Sequence, residues 1–244
     1  MKKISIFVLI AIAISSCSDN ASTGSNVSIK ASAISTTGKT SSTGKTSSTA
    51  RTAASTVVIT DFKVNIGNIK LETDMEDAMH STNPSFEDVK LMGPFLLDLL
   101  DPNKPLSQFI TTVDVPNAKY EEIKFNFTKS LIAGDLEGKT FLIKGTINDK
   151  PFVIWSAEDI ELEMDFMDPS KDFTVNDNSI ALNIKMQLDS IMAKLTTLAN
   201  QGLLLDTDGD GVIEITTGND DGHYSIGHQF KDLLENETHL DDKD

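Results

Sequence analysis

Cysteine is almost absent from this chain: Cys17 stands alone among 244 residues, which excludes an internal disulfide. Tryptophan is as scarce, with Trp155 the only one. Positive charge is also short. Lys and Arg number 21 against 37 Asp and Glu, for a net charge of −16. So acidic a chain repels nucleic-acid phosphates and anionic lipid headgroups, and no nucleic acid is expected as a partner. It favours cations, basic partners or neutral ligands. The most sustained apolar run, Ile4 to Ile14, is about ten residues and too short to span a bilayer.

That run has a different use. Lys2 and Lys3 precede it, and Ile14-Ser15-Ser16-Cys17 closes it with small residues, the layout of a secretory signal. The tetrapeptide resembles the lipobox of bacterial lipoproteins: an aliphatic residue, two small ones, then cysteine. The resemblance implies that residues 1–16 are removed and that Cys17 is lipidated, tying the chain to a membrane and leaving no free thiol for catalysis. Ser18 rather than Asp after the cysteine implies, by the same resemblance, the outer membrane, with the body periplasmic or surface-exposed.

Residues 18–55 are Ser, Thr, Ala, Gly and Lys with few aliphatics (Val27, Ile29, Ile34), and Thr37-Gly38-Lys39-Thr40-Ser41-Ser42 repeats at once as residues 43–48. Such a stretch buries too little apolar surface to offset its ordering entropy and is expected to be a disordered tether, with a reach of roughly 30–40 Å. Residues 56–244 suffice for one domain. Removing the two leader lysines and the tether's net +3 leaves −21 on that domain.

From Thr56 the pattern has period two. Val58, Thr60, Phe62, Val64 and Ile66 share one face of a long predicted strand that resumes at Ile69–Glu72. A loop or hairpin insertion is expected over 73–87. Gly93-Pro94 inside the apolar stretch 89–100 predicts a bend between two short strands. Further strands are expected at 109–115, 120–128, 140–147, 152–155, 160–166 and 179–188, with turns at Asn148-Asp149-Lys150-Pro151 and Pro116-Asn117-Ala118. After Asp189 the period becomes helical through Asn200, with Gly202 as the stop, and a second short helix is expected over 225–235 with Ser225 as N-cap. Residues 237–244 read as a frayed acidic tail. The whole reads as mainly β, an antiparallel β-sandwich or open barrel with one or two short C-terminal helices.

One constellation carries chemistry. Asp206, Asp208 and Asp210 alternate, glycine follows at 211, Val212 would offer a carbonyl at the seventh position, and Glu214 holds the ninth. Crowded carboxylates repel one another unless a cation sits among them, and this spacing opens an oxygen cage for Ca²⁺ with a structural role. The loop resembles EF-hand and dockerin loops over its first nine positions. Its twelfth position is Thr217 instead of Glu, so Asp220 or Asp221 is the expected substitute. An acidic surface turn leading into a strand over 212–215 is the plainer alternative.

Other motifs lack their context. Gly38-Lys39-Thr40 and Gly44-Lys45-Thr46 have no flanking strand and helix for a phosphate loop. His223 and His228 fit no helical zinc pair and read as surface histidines. Ser225 lacks nucleophile-elbow glycines. Asp159, Glu161 and Glu163 read as a solvated strand face rather than a hydrolase dyad. Trp155 is expected against the sandwich core, with stacking on a sugar the lesser alternative.

Val57–Leu71, Gly93-Pro94-Phe95-Leu96-Leu97-Asp98-Leu99-Leu100, Val115-Pro116-Asn117-Ala118-Lys119-Tyr120 and the hairpin 145–152 together resemble Bacteroidetes lipoproteins of the "domain of unknown function 4382" family over roughly 57–190. Ala118-Lys119-Tyr120 departs from that family's Gly-Lys-Tyr. The resemblance implies a lipid-anchored β-sandwich and brings no catalytic residues. The expected function is a non-enzymatic outer-membrane lipoprotein that binds a ligand or an envelope protein partner. A structural or adhesive envelope component is the alternative, and a hydrolase a distant third.

Overall fold

The computed structural model describes residues 25–34, 56–73, 88–101, 103, 107–165, 173–175, 180–218, 220–236 and 238–241. Cys17, the leader, residues 18–24 and 35–55 of the expected tether and residues 74–87 of the expected 73–87 insertion lie outside the described residues, while Thr73 ends a strand.

The chain is mainly β, with two sheets and two C-terminal helices among the described residues. The larger sheet is ordered β11 (Ile213–Thr216), β7 (Lys150–Ser156), β6 (Phe141–Ile147), β2 (Val57–Thr73), β5 (Lys119–Phe127), β8 (Ile160–Asp165). In it β3 (Val89–Asp98) also pairs with β2, and β9 (Phe173–Thr174) with β5. The smaller sheet runs β12 (Thr238–Asp241), β10 (Ile180–Gln187), β1 (Ser25–Ile34), β4 (Ser107–Val115). Helix α1 (Leu188–Asn200) follows β10, and α2 (Tyr224–Asn236) lies between β11 and β12, beginning one residue before the expected cap Ser225. Pairing is antiparallel except for β1 with β10 and β11 with β7, which run parallel. No helix among the described residues is long and apolar enough to cross a membrane.

Strand β1 corrects the expected tether over residues 25–34. Residues 25–34 are its body, with Val27, Ile29 and Ala31 fully buried and Ala33 nearly so. The segment is too poor in apolar area to fold alone, but here it is a central strand. Its backbone is paired on both sides, by β10 and β4, and its small side chains alternate into a core built by others. The frayed tail is corrected for the same reason: β12 pairs with β10, and the Thr238 hydroxyl donates to the Leu234 carbonyl at 2.8 Å.

The long strand β2 is continuous, as its alternation predicts, but its faces are not. Register shifts between Ile59 and Asp61 and between Ile66 and Asn68 each move the pattern by one residue. Val57 and Ile59 therefore point inward with Phe62, Val64 and Ile66, while Val58, assigned to the inner face by simple alternation, is 41% exposed. Gly93-Pro94 does not divide β3, which pairs with β2 on both sides of the second shift.

The core is one cluster shared by both sheets and the helices. Tyr120, Phe62, Phe125, Phe127, Phe141, Phe152 and Phe230 are its largest fully buried side chains. Helix α2 sits close enough that a Cβ on Gly227 would collide with the Thr216 carbonyl. Strand β11 is thereby clamped between α2 and β7, and this fixes the loop that precedes it.

Candidate functional site

Strand β7 buries Phe152, Ile154 and Ser156 and turns Val153 and Trp155 to the other side of the sheet. Trp155 is thus on the outer face, which corrects its expected place in the core. Its register partners are Leu142 on β6 and Thr216 on β11, and Val153 lies between Lys144 and Glu214. A cleft of about 590 Å³ opens here. Leu142, Lys144, Val153, Trp155 and Glu214 form its floor, and Gly134, Asp135 and Lys139 of the β5–β6 connection stand on one side. Asp208 and Asp220 close the other.

Asp135 organises the first wall. Its Oδ2 lies 2.9 Å from Lys63 Nζ and 3.1 Å from Lys144 Nζ, and these two ammonium groups pull its carboxyl down to about 2. Lys139 Nζ donates to the Asp135 carbonyl at 3.2 Å and lies 5.5 Å from the centre of the Trp155 ring, a cation–π arrangement.

The second wall is the acidic loop, shaped by its own carboxylates. Asp206 accepts from the amides of Gly209 (2.7 Å) and Gly211 (3.1 Å), Asp208 from Asp210 (3.1 Å), and Asp210 from Val212 (2.8 Å). Gly209 and Gly211 have φ of 81° and 96°, a region where a side chain would be strained. Carboxylate oxygens of Asp206, Asp208 and Asp210 converge within 4.8 Å of one another, as the spacing predicts. Lys150 Nζ stands 3.8 Å from Asp206 at the margin of this group. Val212 donates its amide to Asp210.

A second triad shares Asp208 with the first: Asp208, Glu214 and Asp221, again within 4.8 Å. Of the two substitutes for the missing closing ligand, the structure brings Asp221 into place. Asp220 instead accepts from the Thr216 hydroxyl at 3.4 Å, and Thr217 is turned to Ser156, 3.2 Å between hydroxyl oxygens. Asp221 is buried, with φ of 48°. Its Oδ1 accepts from the amides of Thr207 (2.6 Å) and Asp208 (3.3 Å) and from the Thr207 hydroxyl (3.0 Å), and its Oδ2 from the Glu214 amide (2.9 Å). Burial pushes its carboxyl up, but these donors outweigh that and hold it well below the usual carboxylate range.

Glu214 behaves oppositely. Burial, a hydrogen bond with Asp221 and the charges of Asp210, Asp221 and Asp208 push its carboxyl up to about 7. Its Oε2 is buried with no hydrogen-bond partner. A carboxylate oxygen left bare beside ionised neighbours is what a cation corrects. The donor set, all hard oxygen, suits Ca²⁺.

His223 is buried rather than exposed as expected, with Nε2 2.9 Å from the Leu205 carbonyl oxygen, tying the loop's entrance to the start of α2. His228 is half-buried against Tyr224, with Nδ1 3.6 Å from Glu158. The pair does not converge on a common site. Sequence reasoning missed Asp135, Lys139 and Lys144, which carry no motif. It misplaced Trp155, although the alternation Phe152, Ile154 inward was legible. Comparison with family models, curated proteins and solved structures finds no match for this chain.

Proposed function

We propose that this protein is a lipid-anchored, non-enzymatic binding module of the outer membrane, with the β6–β7–β11 cleft as its binding surface and one structural Ca²⁺ in the adjoining loop. The observation that carries the reading is the shared wall. Asp208 and Glu214 belong both to the cleft and to the second acidic triad, so a cation held there would also fix the cleft's shape. Asp206, Asp208, Asp210, Glu214 and Asp221 are the side chains that would hold it. The ion would supply charge balance and rigidity, and no reaction step is assigned to it.

The anchor rests on the sequence around Cys17, and strand β1 changes what it implies. Only residues 18–24 separate Cys17 from β1. Fully extended, the step from Cys17 to Ser25 spans at most about 25–30 Å. The domain is therefore held close to the bilayer, and the Ser/Thr/Gly/Lys repeats fall between β1 and β2 instead of between lipid and domain. Mass spectrometry of the native protein tests the anchor: an acylated N-terminal Cys17 is expected, and an intact leader or a free thiol at that residue overturns it.

A further inference from the structure

We infer that Glu122 holds a proton at neutral pH and that this proton closes a clasp joining β8 to β5 and β2, so that the larger sheet loosens its edge strand as the solution turns alkaline.

Strand register builds the clasp. Glu122 on β5 lies opposite Glu72 of β2 and Asp165 of β8, and Lys124, next on the same face, lies opposite Lys70 and Glu163. Like charges directly opposite one another oppose pairing, and this row sets three acidic residues side by side. The Lys124 ammonium answers them: it stands 3.1 Å from Glu122 Oε2, 3.3 Å from Glu72 Oε1 and 3.0 Å from Glu163 Oε1. Lys70 is engaged by Glu72 at 2.6 Å and by Asp88 at 2.9 Å. Fully ionised, Glu72, Glu122, Glu163 and Asp88 would share the two ammonium groups of Lys70 and Lys124.

The shortage falls on Glu122. It is 8% exposed, and its Oε1 is buried with no hydrogen-bond partner. An ionised oxygen in that position is costly, and ionised carboxylates beside it accept but cannot donate. A proton on Glu122 turns those contacts into hydrogen bonds. Burial first, then the contacts with Glu163 and Glu72, push its carboxyl up to about 8 against the pull of Lys124. The Glu163 carboxyl is held below its usual range, first by that bond to Glu122 and then by Lys124. Glu72 is likewise lowered, first by Lys70. The proton therefore sits on the buried member, and Glu163 of β8 accepts it. Among the described residues β8 ends its sheet and pairs only with β5, so this bond ties the edge to the interior. Opening would expose Glu122, return its carboxyl to about 4.5 and release the proton. The clasp's advantage is complete below about 4.5 and is lost as pH rises through about 8, by at most about tenfold in the opening constant per pH unit.

The test is a pH titration of the full chain, its glutamate carboxyls labelled with carbon-13 and followed by NMR. One carboxyl is expected to titrate with a midpoint near 8 and to be missing from Glu122→Gln. Glu163→Gln, which removes an acceptor and a neighbouring charge, should move that midpoint down. Glu214→Gln identifies the signal of Glu214, so the two raised carboxyls are told apart. Amide exchange, corrected for its intrinsic rate, then reads the clasp. The opening constant of β8 should rise at least roughly tenfold between about pH 6 and about pH 8 in the full chain and stay level in Glu122→Gln, with no such rise at β6. Overturning results are the absence of any glutamate titrating above about pH 7 other than one lost in Glu214→Gln, a rise shared equally by β6, or the same pH dependence of β8 in Glu122→Gln. If Glu122→Gln does not fold, Glu163→Gln decides: an unmoved midpoint overturns the inference.

Discussion

Replacing Glu214 by Gln should raise the stability of the protein in chelator and lower it in calcium. In the metal-free protein the Glu214 carboxyl sits at about 7, against an ordinary value of 4.5, because burial and three neighbouring aspartates oppose its ionisation. A carboxyl raised on folding contributes stability that is complete below its unfolded pKa. That contribution is lost as pH climbs from about 4.5 through about 7. Above that range the native state carries an unfavourable charge that Gln would not. The full shift corresponds to about 3 kcal/mol, and partial solvent screening reduces this to about 1–2 kcal/mol. For a domain of this size that is an increase of roughly 2–8 °C in melting temperature. Thermal melts by circular dichroism in EDTA should show the variant above wild type at about pH 8 and near it at about pH 5. With millimolar Ca²⁺ the order reverses, because the ion replaces the missing proton in wild type and loses a ligand in the variant. A variant no more stable than wild type in EDTA at the higher pH, or a gain equal at both pH values, would refute the electrostatic account of the second triad.

Asp221→Ala removes the acceptor for four donors that bind the acidic loop to the start of α2, and should cost about 2–3 kcal/mol in denaturant unfolding, with Ca²⁺ affinity lost alongside. Gly227→Ala drives a methyl group into the Thr216 carbonyl, and should destabilise by about 1–3 kcal/mol by the same measurement. Ile29→Ala opens a cavity in the smaller sheet and should cost about 2–4 kcal/mol, whereas deletion of residues 37–48 should leave the unfolding midpoint unchanged. Equal effects of those last two changes would argue against β1 as an integral strand.

Most strands between 56 and 188 and both helices were legible because their periodicity is strong and local, whereas β9 and β12 were not, being short and set by their partners β5 and β10. On β5 Ile123, Phe125 and Phe127 alternate, and all three are buried; on β10 Leu182, Ile184 and Met186 do the same. Strand β1 was hidden because its burial comes from partners distant in sequence, β10 and β4, while its own composition is that of a linker. The faces of β2 were obscured by register shifts, which composition does not signal. In the site, the Asp206–Glu214 spacing foretold the first acidic group. The exchange of Thr217 for Asp221 depends on a left-handed turn at Asp221 and on Ser156 capturing Thr217. The opposite wall depends on Asp135 gathering Lys63 and Lys144 from two strands, a tertiary arrangement with no local signature.

The most direct test of the central claim is calorimetric titration of the full chain with Ca²⁺, beside the same chain carrying Asp208→Ala and Asp210→Ala. The account predicts one saturable binding event in wild type and none in the variant, since Asp208 belongs to both acidic triads. Equal heats from the two proteins, or no binding by wild type at millimolar calcium, would contradict it.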